Sequence, residues 1–231
     1  MTHSKNKAQT VKSTLYLIAI SIVMMVGLLL RPEAIPRDTN QIVDYLTTLA
    51  DIPNSVTAVI LGSRLFDTIG EVTVFTVAGI GVKVLLTDEQ SETRLLGIQD
   101  PVIISLLDFV ALLSAFLAVE LAIRGHITPG GGFAAGVAGA TSVTLLMITG
   151  RLNEIEQFYS KSNAAVLEKQ AVIAFILFAI MSFASVVYPT SPFSWIPQNV
   201  YIPLLNIIAG LKVTIGAWSI IRLFINKRGI I

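Results

Sequence analysis

Six stretches of the chain are apolar for long enough to cross a bilayer, and short polar segments separate them. The first, 13–30, carries no charge over 18 residues and is stopped by Arg31-Pro32, since proline lacks the N–H a helix interior needs. Lys5, Lys7 and Lys12 precede it as they would in a removable leader, but the run is long and no small-residue cleavage site follows. Residues 31–55 hold three of the nine prolines and charges of both signs, which predicts an exposed connection. Further spans are predicted at 65–86, 101–124, 131–150, 166–188 and 201–224. The predicted fold class is all-α, a polytopic membrane protein of about six transmembrane helices.

Composition agrees with this pattern. Hydrophobic residues make up 54% and charged residues 13%, against roughly 25% charged in soluble domains. The chain has no cysteine, which excludes disulfides, thiolate zinc sites and iron–sulfur ligation by its own residues, and neither a cofactor nor a catalytic centre is implied. Sixteen Lys and Arg against fifteen Asp and Glu leave no basic excess for nucleic acid. With room for roughly six or seven spans, the chain is small for a self-contained carrier built of two inverted repeats, which favours one component of a larger complex or a small channel.

The distribution of Lys and Arg orients the spans. Ten fall on the side of the termini, whereas only Arg31, Arg37, Arg64 and Arg124 fall on the other. By the positive-inside rule both termini are expected in the cytoplasm of a cell (plasma or inner) membrane. Trp195 and Tyr201 fit an outer interfacial belt, and Trp218 a deeper place near the inner end of the last span.

Several ionisable residues lie inside spans, where they are costly and point to function by default. Asp67 and Glu71 are four apart, about 6 Å along a helix on one face, so the two carboxylates cannot both ionise cheaply and could handle a proton. Alternatively Asp67 caps its helix and Glu71 pairs with Arg64, seven residues back. Lys83 stands roughly 18 Å beyond Glu71 and turned by about 120°, where it relays ions or snorkels to the surface. Glu120 precedes Arg124 by four residues, an ion-pair spacing that competes with a transfer role. Asp108 has no cation at helical spacing and is a relay candidate. Lys212, 11 residues into the last span, is too deep for a short snorkel, so it exchanges protons or pairs with a carboxylate of a neighbouring subunit.

The most distinctive local sequence runs from Arg124-Gly125-His126 through Pro129-Gly130-Gly131-Gly132-Phe133. Proline followed by three glycines predicts a turn, and the four-residue spacing of Gly132 and Gly136 predicts a small-residue face for helix packing. His126 senses pH at the outer mouth or only fixes the turn. No Lys-Ser/Thr pair follows the glycines, so a phosphate-binding loop is disfavoured.

The glycine motif, together with Asn206, Gly210-Leu211-Lys212-Val213 in the last span, resembles the B-subunit family of multisubunit sodium/proton antiporters of the Mrp or Mnh type, and related subunits of energy-converting hydrogenases. Arg64-Leu65-Phe66-Asp67-Thr68-Ile69-Gly70-Glu71 resembles the E-type hydrogenase subunit, which corresponds to the C-terminal end of the large antiporter subunit. The resemblance implies a fusion of two subunits: a two-helix segment at 1–95 and a four-helix B-like domain at 96–231. One departure is Ala134-Ala135-Gly136, where the family often carries a more polar residue. The resemblance further implies other membrane subunits as partners and Na+ and H+ as transported ions; the residues themselves suggest the mechanism, Glu71 aided by Asp67 taking or releasing the ion while Asp108, Glu120 and Lys212 extend a lateral polar path. The same chain would also suit the ion-translocating part of a redox complex of hydrogenase or sulfane reductase type, or a non-transporting assembly scaffold. A stand-alone channel ranks last, because the charges are scattered with no repeated pore motif.

Overall fold

The computed structural model describes residues 39–87, 89 and 98–228, with the single positions Ile18, Ser21 and Met25. The expected first span, 13–30, lies outside the described residues apart from those three. Two units are distinguished, Met1–Thr39 and Asn40–Ile231, and the second carries every feature below. Among the described residues all regular structure is helical. The elements are α1 (Thr39–Ala50), α2 (Ser55–Ala58), a π-helical turn (Val59–Ser63), α3 (Leu65–Leu85), α4 (Pro101–Arg124), α5 (Gly132–Leu146), a second π-helical turn (Met147–Arg151), α6 (Leu152–Lys161), α7 (Ala164–Val187) and α8 (Gln198–Arg228). Five helices are long and apolar enough to span a membrane: α3, α4, α5 continued through α6, α7 and α8. The protein is an all-α, multi-pass membrane protein.

Local chemistry sets the helix starts. Asp100 caps α4 by accepting from the N–H groups of Val102 and Ile103, and Pro101 supplies a pre-set φ in the first turn. Asn163 holds a left-handed φ of 50° between α6 and α7, a conformation that asparagine tolerates better than most residues.

Helix α8 is the centre of the bundle, packed by α5, α7, α3 and α4. Between apolar helices in lipid the hydrophobic effect supplies little force, so contact depends on how closely two backbones fit. Here α5 turns Gly132, Gly136 and Gly139 onto α8. A Cβ on Gly132 would lie 2.5 Å from the Asn206 carbonyl oxygen, one on Gly136 would lie 2.3 Å from Val213 Cβ, and one on Gly139 would lie 2.5 Å from Thr214 Oγ1. On the other side of α8, Val72, Phe175, Ala179, Leu205 and Ala209 form a sealed core. By contrast α4 buries only Ala111 fully and leaves Leu106, Phe109 and Phe116 bare.

Two connections differ from the sequence expectation. Residues 39–50 of the expected exposed connection form α1, whose end delivers Ala50 and Ile52 to the core. Residues 152–161, also expected as a connection, form α6. The chain bends at Gly150, where φ is 94° and glycine alone is comfortable, yet helical bonding resumes beyond it. Leu152, Ile155 and Tyr159 then face Trp218 and Ile215 of α8 at helical spacing. Glu156 fixes the register by accepting from Arg222 at 2.9 Å and from Asn226 at 2.6 Å, while the Arg222 guanidinium lies 4.0 Å above the Tyr159 ring. A short amphipathic segment among longer apolar runs is easily taken for a loop.

Gly136→Ala is expected to lower the stability of the purified protein by about 1–3 kcal/mol, because Val213 blocks the added methyl. Gly70→Ala, which meets nothing within 4 Å, is expected to leave stability unchanged or raise it by up to about 1 kcal/mol. Thermal unfolding in detergent, followed by size-exclusion chromatography, checks the contrast.

Candidate functional site

The glycine-rich turn is held from two directions. As α4 ends, its last carbonyls lack helical partners. The buried Asn206 side-chain amide of α8 donates to two of them, Leu121 at 3.2 Å and Ala122 at 2.7 Å. From the opposite side the Asn54 amide donates to the Gly125 and Thr128 carbonyls, both at 2.8 Å, and the Thr57 hydroxyl donates to Gly125 at 2.7 Å. Asn54 also caps α2 through its Oδ1, so one side chain ties a helix start to the turn. Gly125 permits this because a Cβ there would meet Asn206 Nδ2 at 2.6 Å.

Against this turn lies a cavity of about 270 Å³ whose walls come from both halves of the chain. Thr57, Thr68 and Glu71 line one side; Gly130–Phe133, Asn206 and Ala209 line the other. The π-helical turn at Val59–Ser63 shapes the first wall, and the Thr68 hydroxyl donates to its Ile60 carbonyl at 3.0 Å. Such turns often accompany functional sites, since they free backbone groups from the regular ladder. Glu71 makes no ion pair or side-chain hydrogen bond among the described residues. It therefore presents an unneutralised carboxylate to the cavity.

One helical turn beyond Glu71, Phe75 meets the deepest cation. Lys212 is 0% exposed; its Nζ lies 3.9 Å from Glu168 Oε1 of α7 and 3.9 Å from the centroid of the Phe75 ring. That separation is an ion pair but not a hydrogen bond, and Nζ has no hydrogen-bond partner among the described residues. Gly216 makes room for the assembly, because a Cβ there would lie 2.8 Å from Glu168 Oε1 and 2.7 Å from Phe75 Cε1. The sequence does not single out Glu168. It stands beside Lys169 at the foot of the expected fifth span and looks like a solvated residue, although an acid three positions inside an apolar run is a usable signal.

The remaining candidates are placed elsewhere. Asp67 is ion-paired with Arg64, whose Nε donates to its Oδ2 at 2.7 Å. Arg64 is thus engaged by Asp67 and not by Glu71, so the two carboxylates of α3 stand in different environments. Asp108 finds its cation in a different element: Arg151 approaches to 2.6 Å and the Thr149 hydroxyl donates at 3.2 Å, both brought back by the bend at Gly150. Glu120 pairs with Arg124 at 3.3 Å. Lys83 is exposed in the last turn of α3, where a cation suits the helix dipole. His126 accepts the Asn54 N–H on its carbonyl, and its Nδ1 is buried without a partner among the described residues. The structure therefore brings together Glu71, the glycine motif and Asn206, and separately Lys212 with Glu168; it does not bring Asp108, Glu120 or Lys83 into either group.

Asn206→Leu is expected to cost about 1–3 kcal/mol, because two carbonyls at the end of α4 lose their donor in a buried place. Thermal unfolding of the variant beside the wild type measures it.

A sequence family described as "Domain related to MnhB subunit of Na+/H+ antiporter" matches residues 102–219, from the start of α4 into α8. No curated protein matches the chain. Among solved structures, a chain of the membrane-bound sulfane sulfur reductase (MBS), an archaeal respiratory membrane complex, is similar at a TM-score of 0.65 and 23% identity, covering 94% of this chain and 98% of that one. At that identity the likeness is one of fold. The family match spans more than half of the 231 residues and takes in the glycine turn, Asn206, Lys212 and most of α4 through α8, so the protein belongs to the family of domains related to the MnhB subunit of Na+/H+ antiporters.

Proposed function

We propose that the protein is a membrane subunit of a multisubunit Na+/H+ antiporter, contributing to ion transfer and to assembly. The observation that carries the reading is the cavity lined by Glu71, a carboxylate with no ion pair among the described residues, together with Thr57, Thr68 and the glycine turn. A carboxylate with oxygen neighbours suits both ions, since a proton needs a titratable group and sodium favours hard oxygen ligands. Lys212 and Glu168 extend the polar positions into the bundle. Asp108 with Arg151, and Glu120 with Arg124, are neutralised pairs that border the same module. In this reading residues 1–95 are a fused neighbouring subunit, and the bare apolar surface of α4 meets lipid or partner subunits.

The reading is tested in the assembled complex, reconstituted into vesicles and followed by a pH-sensitive dye. Glu71→Gln, which keeps shape and removes the titratable group, is expected to slow sodium-dependent proton exchange by about a hundredfold, the lower end of what a positioned proton-transfer group contributes. Exchange at the wild-type rate would overturn the role of Glu71.

A second reading places the chain in an electron-transfer-driven ion pump. The fold shared along nearly the whole length with a chain of a respiratory membrane complex favours it. Gentle purification of the tagged protein with identification of bound subunits decides between the two: membrane antiporter subunits alone support the exchanger, and metal-containing peripheral subunits support the pump.

The Lys/Arg distribution supports a cytoplasmic location for both termini. Because the chain has no cysteine, single cysteines can be added near each end; both are expected to react with a membrane-permeant maleimide in whole cells and to resist an impermeant one.

A further inference from the structure

The pair formed by Lys212 and Glu168 is built unlike a structural ion pair. A buried pair is retained for stability only when short hydrogen bonds offset desolvation. Here the ammonium is fully sealed, yet it stands 3.9 Å from the carboxylate and donates no hydrogen bond among the described residues. Its other close neighbour is the face of Phe75, a surface that attracts partly desolvated cations of any identity. The Glu168 side chain is 19% exposed while that of Lys212 is 0% exposed, so the carboxylate can be approached from outside the bundle while its cation cannot. Gly216 keeps clear the volume in which carboxylate and ring meet.

We propose that Glu168, the Phe75 face and the Gly216 notch form a monovalent-cation site whose resident occupant is the tethered ammonium of Lys212, displaced when a transported cation binds. The inference rests on the antiporter reading above and deepens it. The bundle offers the ammonium an alternative position: Ala209, one turn before Lys212 on α8, lines the cavity that holds Glu71, and Glu71 is one turn before Phe75 on α3. The four-carbon stem of lysine is flexible and carries a point charge, so it can turn between two carboxylates without moving a helix. Swinging from Glu168 to Glu71 keeps the charge of the three groups constant when it runs as an exchange: an incoming Na+ or proton neutralises Glu168 as the ammonium leaves it, and the cation held by Glu71 departs as the ammonium arrives. The charged groups around the site are Glu168 and the exposed Lys169 from α7, Glu71 from α3 and Lys212 from α8.

The test uses the assembled complex in vesicles, with sodium-dependent proton exchange measured over a range of Na+ concentrations. Lys212→Met with Glu168→Gln removes both charges at nearly constant volume. A structural pair predicts that this double variant assembles and exchanges like the wild type, which would overturn the proposal. The cation site predicts normal assembly with exchange reduced by about tenfold or more, the effect of losing a charge-assisted contact. Phe75→Leu keeps apolar volume but removes the π face, and is expected to raise the KM for Na+ by about threefold to tenfold at nearly unchanged maximal rate. An unchanged KM in Phe75→Leu overturns the site even if the double variant fails to assemble. A wild-type complex without any cation/proton exchange would instead overturn the antiporter reading itself.

Discussion

The backbone contact between α5 and α8 sets the geometry on which the other features depend. Lipid rewards the burial of apolar side chains hardly at all, so two helices stay together only where their surfaces fit closely. Gly132, Gly136 and Gly139 let α5 come so near that Val213, Thr214 and the Asn206 carbonyl occupy the space where side chains would be. This brings Asn206 under the end of α4, and its amide then closes the carbonyls that the helix leaves open. The glycine turn is held in place by the same approach, and the cavity wall follows from it.

The polar groups of the bundle are arranged around interruptions of regular helix. At Val59–Ser63 a π-helical turn leaves the Ile60 carbonyl to the Thr68 hydroxyl and sets α3 at the angle that brings Glu71 to the cavity. At Met147–Arg151 a second such turn, with the bend at Gly150, returns Arg151 and Thr149 to Asp108. In a membrane the backbone can depart from regular bonding only where other protein groups satisfy it. Each irregular turn is therefore accompanied by a hydroxyl or charged partner: Thr68 at the first, on the wall of the cavity that Glu71 lines, and the separate Asp108–Arg151 pair at the second.

Charge placement separates two populations. Arg64 with Asp67, Glu120 with Arg124, and Arg151 with Asp108 are pairs with exposed members, close enough for direct contact. Glu71 and Lys212 differ: one lacks a partner among the described residues and the other is sealed with a partner at a loose distance. A neutralised surface pair contributes little and changes little. A carboxylate without a partner among the described residues and a loosely held ammonium carry the proposed mechanism.

The sequence by itself determined several of the spans, because long, predominantly apolar runs have few alternatives in water or lipid; 101–124 coincides with α4, and 65–86 and 166–188 fall within two residues of α3 and α7. It also determined the glycine turn and the spacing of Gly132 and Gly136, since these depend on residue type and local repeat alone. The partners were decided by tertiary structure. Asp108 and Arg151 are 43 residues apart, Lys212 and Glu168 44, and Asn54 and Gly125 71, and no local spacing relates them. Helical periodicity tells which residues share a face of one helix; which faces meet depends on where small residues allow two backbones to approach. That is why Lys212 could be recognised as a buried cation from the sequence, while Glu168 became visible as its counter-ion only when α7 and α8 were packed together.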